Sequence, residues 1–258
     1  MKPLKTTVIH LLCFFLLTCG IDEYYYLPQL SENKITRQVN TYAEINIPPN
    51  MLDSVSFYYA KGYVIFYKIY TSNEDNNNVD ILRTFPRISS DYNGLFPYTD
   101  PTNATNIPSL NTFSSRGFYE LRLEEGVINI NKLLSKEEIS NNGGFFTINF
   151  QPTPGAWPTI SYNGTNYKLF RSNGNGSFNT KPDDSRFGYF FSSEELRDYK
   201  NASQTSPNIN GDVSGQSGNP PYAFVSMYIV AVGSNPSNIN TLYGKPTHIS
   251  IFKLPDDK

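Results

Sequence analysis

Gly62-Tyr63-Val64-Ile65-Phe66-Tyr67-Lys68-Ile69-Tyr70 decides the fold. Every residue after the glycine except Lys68 is β-branched or aromatic, the side chains that suit a pleated surface. Neighbouring side chains of a strand point to opposite faces. Tyr63, Ile65, Tyr67 and Ile69 therefore fall on one face, and Val64, Phe66, Lys68 and Tyr70 on the other. Apolar residues in both sets predict a central strand covered on both sides. Tyr222-Ala223-Phe224-Val225-Ser226-Met227-Tyr228-Ile229-Val230-Ala231-Val232-Gly233 has the same character and predicts a second such strand.

Around these two runs the pattern is strand after strand. Ala43, Ile45 and Ile47 alternate with Tyr42, Glu44 and Asn46, so Thr41–Ile47 reads as a half-buried strand ended by Pro48-Pro49-Asn50. Asn163-Gly164 stands between Thr159–Tyr162 and Thr165–Arg171. That pair predicts a two-residue type I′ hairpin, because both central residues need φ > 0. Ser54–Ala60, Gly117–Leu123, Phe145–Phe150 and Thr247–Leu254 read as further strands. In Gly117–Leu123, Phe118, Glu120 and Arg122 oppose Tyr119, Leu121 and Leu123.

Helical signals are few. Ser135 with Glu138 and Ser192 with Glu195 have capping-box spacing, and Val79–Phe85 could form a short helix stopped by Pro86. The stretches 71–116, 201–221 and 234–246 read mainly as loops, with a polar turn at Asn73–Asn78. Nine to eleven strands with helices of one turn predict an all-β fold, an antiparallel β-sandwich.

Composition agrees. Of 258 residues, 15% are aromatic, with 19 Tyr and 18 Phe against 3 Met and 1 Trp, and 29 are Asn. With 38% hydrophobic and only 17% charged residues, the chain is too apolar and too aromatic to be disordered. A net charge of −2 argues against nucleic acid held by a basic surface.

The amino terminus carries a different message. Lys2 and Lys5 precede Thr6–Thr18, an almost wholly apolar run of about 13 residues that spans only about 20 Å as a helix. A bilayer core needs about 20 residues, so the run reads as the apolar region of a secretory signal. It ends Leu16-Leu17-Thr18-Cys19-Gly20.

That ending resembles the lipobox of bacterial lipoproteins, in the relaxed form familiar from spirochaetes: Leu17 and Thr18 stand where smaller residues are usual. The resemblance implies a signal peptide over 1–18, acylation of Cys19, a lipid anchor and short tether over 19–27, and a β-sandwich body over 28–258. One acyl chain binds a membrane only marginally, and a triacylated cysteine exceeds the two signals that stable anchoring needs.

Processing leaves 19 basic and 23 acidic residues, a formal charge of −4. Cys13 and His10 would leave with the signal. Cys19 would become a thioether and His248 would be the last imidazole. The mature chain then holds no disulfide, no Cys nucleophile and no Cys/His zinc site. His248 lies within the alternating run Thr247-His248-Ile249-Ser250 and reads as a polar-face strand residue rather than a catalytic base.

Gly62-Tyr63-Val64-Ile65-Phe66-Tyr67 resembles the third strand of a fibronectin type III module. Tyr222–Gly233 with Pro236-Ser237 resembles its sixth strand and following loop. The resemblance implies an immunoglobulin-like sandwich carrying a large inserted β-rich segment at about 72–220. Cys19-Gly20-Ile21-Asp22-Glu23-Tyr24-Tyr25-Tyr26, Ser115-Arg116-Gly117-Phe118 and Tyr243–Pro255 also resemble spirochaetal lipoproteins of the treponemal type. That likeness implies export and lipidation, with the outer membrane favoured over the inner one. It carries over no functional residues.

Other chemistry is weakly signalled. Glu124-Glu125, Asp183-Asp184 and Glu194-Glu195 are adjacent pairs, which point to opposite faces if extended and so make no acid/base dyad. Gly174-Asn175-Gly176 lacks the third glycine of a dinucleotide loop, and Gly211-Asp212-Val213-Ser214-Gly215 is no nucleophile elbow. Asp75, Asn77 and Asp80 lack the spacing of a calcium loop. Trp157, between Pro154-Gly155 and Pro158, reads as a packing residue or as a platform for a sugar ring. The expectation is a membrane-anchored envelope protein without catalytic, cofactor or metal residues. Cys19 is its lipid attachment site, and its ligand is a protein or a glycan. A structural envelope role and a glycan-cleaving role remain the alternatives.

Overall fold

Ala43, Ile45 and Ile47 are completely buried while Tyr42, Glu44 and Asn46 reach the other side, as the alternation predicts. The same rule builds the rest of the structure, a computed structural model. It describes residues 27–38, 41–53, 59–72, 113, 117–123, 130–150, 157–171, 191, 213–215, 222–234 and 241–254.

In chain order the strands before the helices are β1 (Ile35–Gln38), β2 (Tyr42–Ile47), β3 (Ala60–Ser72), β4 (Tyr119–Glu120) and β5 (Arg122–Leu123). Helices α1 (Ile130–Leu133) and α2 (Lys136–Asn142) come next. They are followed by β6 (Gly144–Asn149), β7 (Thr159–Tyr162), β8 (Thr165–Phe170), β9 (Val213–Gly215), β10 (Tyr222–Ser234), β11 (Thr241–Tyr243) and β12 (Thr247–Lys253).

Two sheets result. The first runs β1-β2-β6-β7-β8-β5. The second runs β11-β10-β3-β4, with β12 on β10 and β9 on β3. All pairs are antiparallel except β3 with β9. β3 and β10, the two apolar runs, pair along their length from Ala60↔Gly233 to Ser72↔Tyr222. β12 pairs on the other side of β10, so the three strands run in the order β3-β10-β12. The β-rich segment at about 72–220 lies between β3 and β10 in sequence. Its described strands build both layers: β5 to β8 widen the first sheet, and β4 and β9 flank β3.

The period-2 split of β3 separates two cores. Tyr63, Ile65, Tyr67 and Ile69 face the first sheet, in one cluster with Ile45, Phe146, Ile148, Val225, Met227 and Phe252. Val64 and Phe66 belong to a second cluster on the far side of the sheet, with Tyr228, Val230, Tyr243, Phe113 and Phe118. Phe66 stacks on Phe113 at 4.1 Å with ring planes 4° apart. Phe118 meets Tyr228 edge-on at 5.4 Å. The second sheet is thus covered on both faces, and each fully buried apolar side chain contributes about 1.5–3 kcal/mol.

Local signals resolve as their chemistry requires. Asn163 and Gly164 have φ of 48° and 75°, the left-handed pair of a type I′ turn. Ser135 Oγ accepts from Glu138 N at 3.1 Å and starts α2, which runs for 7 residues rather than one turn. The expected single strand over Gly117–Leu123 is two strands in different sheets. β4 pairs with β3, β5 pairs with β8, and buried Leu121 between them donates its N–H to Ile65 O. A short strand that crosses between layers keeps the same alternation as one that stays in a layer.

β9 and β11 arise where the sequence suggested loops, and β1 where it assigned no element. The turn at Asn73–Asn78, the Val79–Phe85 helix, the Ser192–Glu195 cap and most of the Ser54–Ala60 strand lie outside the described residues.

Candidate functional site

Cys19 and residues 20–26 lie outside the described residues; the chain enters the description at Leu27. Leu27 and Leu30 are buried. Gln29 Nε2 donates to Pro246 O at 3.1 Å, and Thr247 Oγ1 donates to Leu30 O at 2.6 Å. A Cβ on Gly233 would lie 3.0 Å from Leu27 Cδ2, and one on Gly244 3.1 Å from Leu27 Cβ. The entry of the chain is therefore locked to one end of the sandwich, where β10 finishes and β3 begins. No helix among the described residues is long and apolar enough to cross a membrane.

Trp157 sits at the opposite end, two residues before Thr159, and is 41% exposed. It is no core residue, yet its ring is held. Phe170 stacks on it at 6.1 Å and 24°, and Lys168 Nζ lies 5.3 Å from its centroid. The register extends this outer face across the first sheet. Tyr42, Asn149, Thr159 and Lys168 form one row, and Glu44, Thr147, Ser161 and Asn166 the next. Tyr42 OH donates to Glu44 Oε1 at 2.6 Å, and Ser161 Oγ donates to Asn166 Oδ1. Burial, then the hydrogen bond with Glu44 and its charge, push the Tyr42 hydroxyl above the usual phenol range. Phe145, 54% exposed, closes the face at the end nearer Leu27. The surface between the two aromatics is made of hydroxyl and amide groups with few charges.

His248 lies on the outer side of the second sheet rather than on an open polar face. Its ring tilts against Tyr228 at 5.0 Å, and its Nε2 finds no hydrogen-bond partner among the described residues. Burial, and then the Arg37 charge, push its pKa down to about 3 from 6.5, against a backbone hydrogen bond with Ser250 that works the other way. Arg37 reaches from β1 across the edge of the sandwich. Its Nε donates to Ile249 O at 2.5 Å and its Nη2 to His248 O at 2.6 Å. This strap ties the two sheets at the last strand.

A neutral imidazole with its Nε2 shielded from water ties stability to pH. The unfolded chain takes up a proton near pH 6.5 and the folded one only near 3, so below 6.5 the unfolded state binds more protons. Stability should fall on acidification across that window, by at most about 1.4 kcal/mol per pH unit from this residue. Urea titrations at pH 7 and pH 4.5 should show that slope, and His248→Phe should flatten it. An unchanged slope in the variant would remove His248 as the cause.

The sequence reading missed two features of the second sheet. Lys68 is buried at 5% exposure, with Nζ 5.4 Å from the centroids of both Tyr70 and Phe118. Burial holds the Glu120 carboxyl above the usual range, opposed by its hydrogen bond with Asn131 and by Arg122. Lys68 stands out as the one charge in the apolar run Tyr63–Tyr70, but its aromatic partner Phe118 lies 50 positions away; Glu120 sits in an ordinary alternating run, which normally places such a residue in water.

Among the described residues, no group of three or more His, Cys, Asp and Glu side chains comes together. The pairs Glu124-Glu125, Asp183-Asp184 and Glu194-Glu195, the Asp75-Asn77-Asp80 oxygens and the Gly174-Asn175-Gly176 turn lie outside the described residues, as does Asp212. Val213–Gly215 forms β9. Comparison with protein-family models, with curated proteins and with solved structures found no match to this chain.

Proposed function

We propose that the chain is a bacterial envelope lipoprotein of the spirochaetal type, tethered through acyl chains on Cys19, whose sandwich serves as a non-catalytic binding module. The observation that carries the reading is Leu16-Leu17-Thr18-Cys19 directly behind a short apolar run, too short to span a bilayer. A body whose two sheets enclose one continuous core supplies a rigid scaffold for a surface. Placement in the outer membrane belongs to the same proposal, and protease treatment of intact cells distinguishes its outer from its inner face.

The thiol is the test. Cys19→Ser removes the acyl acceptor without touching the described body. The wild-type chain should sediment with membranes, and the variant should move to the soluble fraction. Equal membrane partition of the two chains would refute the anchor.

A second reading, glycan binding, is favoured by one observation: Trp157 is a held but exposed indole beside rows of hydroxyl and amide side chains. Binding on a glycan array that disappears in Trp157→Ala would establish it. A flat array would leave a protein partner.

A further inference from the structure

We infer that the lipidated protein stands on the bilayer by the end of the sandwich that holds Leu27, and presents the Trp157 end away from it. The inference rests on the anchor proposed at Cys19 and adds the surface that meets the lipid. Leu27 is eight positions beyond Cys19, a reach of no more than about 28 Å even at full extension. β3 alone has 13 residues, about 40 Å of body from one end to the other. The tether is therefore shorter than the body it holds, and its fixed point is at one end.

Contacts identify that end. Leu27 packs where Gly233 approaches Tyr59, and Ser234 N donates to Tyr59 O at 3.0 Å. Gly62, three residues on, bridges to Ser135 at the start of α2. α2 packs on the turn Pro49–Leu52 that follows β2. Ile47 pairs with Gly144 there, so the first sheet shares this end. Trp157 is at the other. Asn149 pairs with Thr159, and Trp157 lies two residues beyond, about 24 Å along the strands from Gly144. The hydroxyl- and amide-rich rows that run up to Trp157 then point toward soluble partners, while Lys61, Asn50 and the α2 end meet the headgroups.

Trp157 is the single tryptophan of the chain, which makes a direct measurement simple. The full-length lipidated protein is reconstituted into phosphatidylglycerol–phosphatidylcholine vesicles carrying a headgroup dansyl acceptor. Energy transfer from Trp157 should be weak. Two chains with Trp157→Phe and either Lys61→Trp or Asn50→Trp, both exposed positions, should transfer several-fold more strongly. Transfer from Trp157 that equals or exceeds both proximal probes in floating vesicles overturns the orientation alone. A chain that fails to float with the vesicles removes the anchor, and the orientation with it.

Discussion

Gly62→Ala is expected to cost about 4 kcal/mol, enough to lower Tm by roughly 10–15 °C in a chain of this size. Two effects add. Gly62 has φ of 147°, which an L side chain adopts only under strain. A Cβ there would also lie 2.2 Å from Leu134 O and 2.8 Å from Ser135 Cα, both backbone atoms that no side-chain rotation can move. Relief requires α1 and α2 to shift away from β3, which breaks the bond from Tyr63 N to Leu134 O at 2.8 Å. Gly164→Ala is the control. Its φ of 75° is equally left-handed, but nothing lies within 4 Å of the new Cβ, so only about 1 kcal/mol should be lost. Urea unfolding of both variants checks the difference. Equal losses would mean that the close approach of the helices to β3 is not what demands glycine.

Phe66→Ala should cost about 3–5 kcal/mol, as much as a deletion between the sheets. In a two-layer sandwich with one wet face, an outward residue of β3 would change stability by no more than about 0.5 kcal/mol. Phe66 faces outward, yet it is completely buried, stacked on Phe113 and 5.9 Å from the Tyr243 ring. Ile65→Ala supplies the inward comparison. Similar losses at both positions establish a second sheet buried on both faces. A negligible loss at Phe66 would show that the cluster with Phe113 and Phe118 adds little.

These two residues also show what could be read before folding. The outward burial of Phe66 follows from the apolar run Tyr63–Tyr70, in which neither face offers more than one charge. Asn163-Gly164, Ser135 and the Ala43-Ile45-Ile47 stripe were equally legible, because each is governed by neighbours within four residues. The clash at Gly62 was not, since Leu134 lies 72 positions away. The strap from Arg37 was hidden for the same reason, being separated from His248 and Ile249 by 211 and 212 positions. β1, β9 and β11, only 3 or 4 residues each, take their conformation from the strand beside them and leave no period to detect. Of the surface, Trp157 was visible as a residue. Its support by Phe170 and Lys168 was visible only once the hairpin had folded β8 beside it.

The anchor has a direct test in the mass of the amino terminus. Protein purified from the native membrane and digested should yield a first peptide that begins at Cys19 and carries a thioether-linked diacylglyceryl group with an acylated α-amine. A peptide beginning at Met1, or a processed terminus with no acyl mass, would contradict the account.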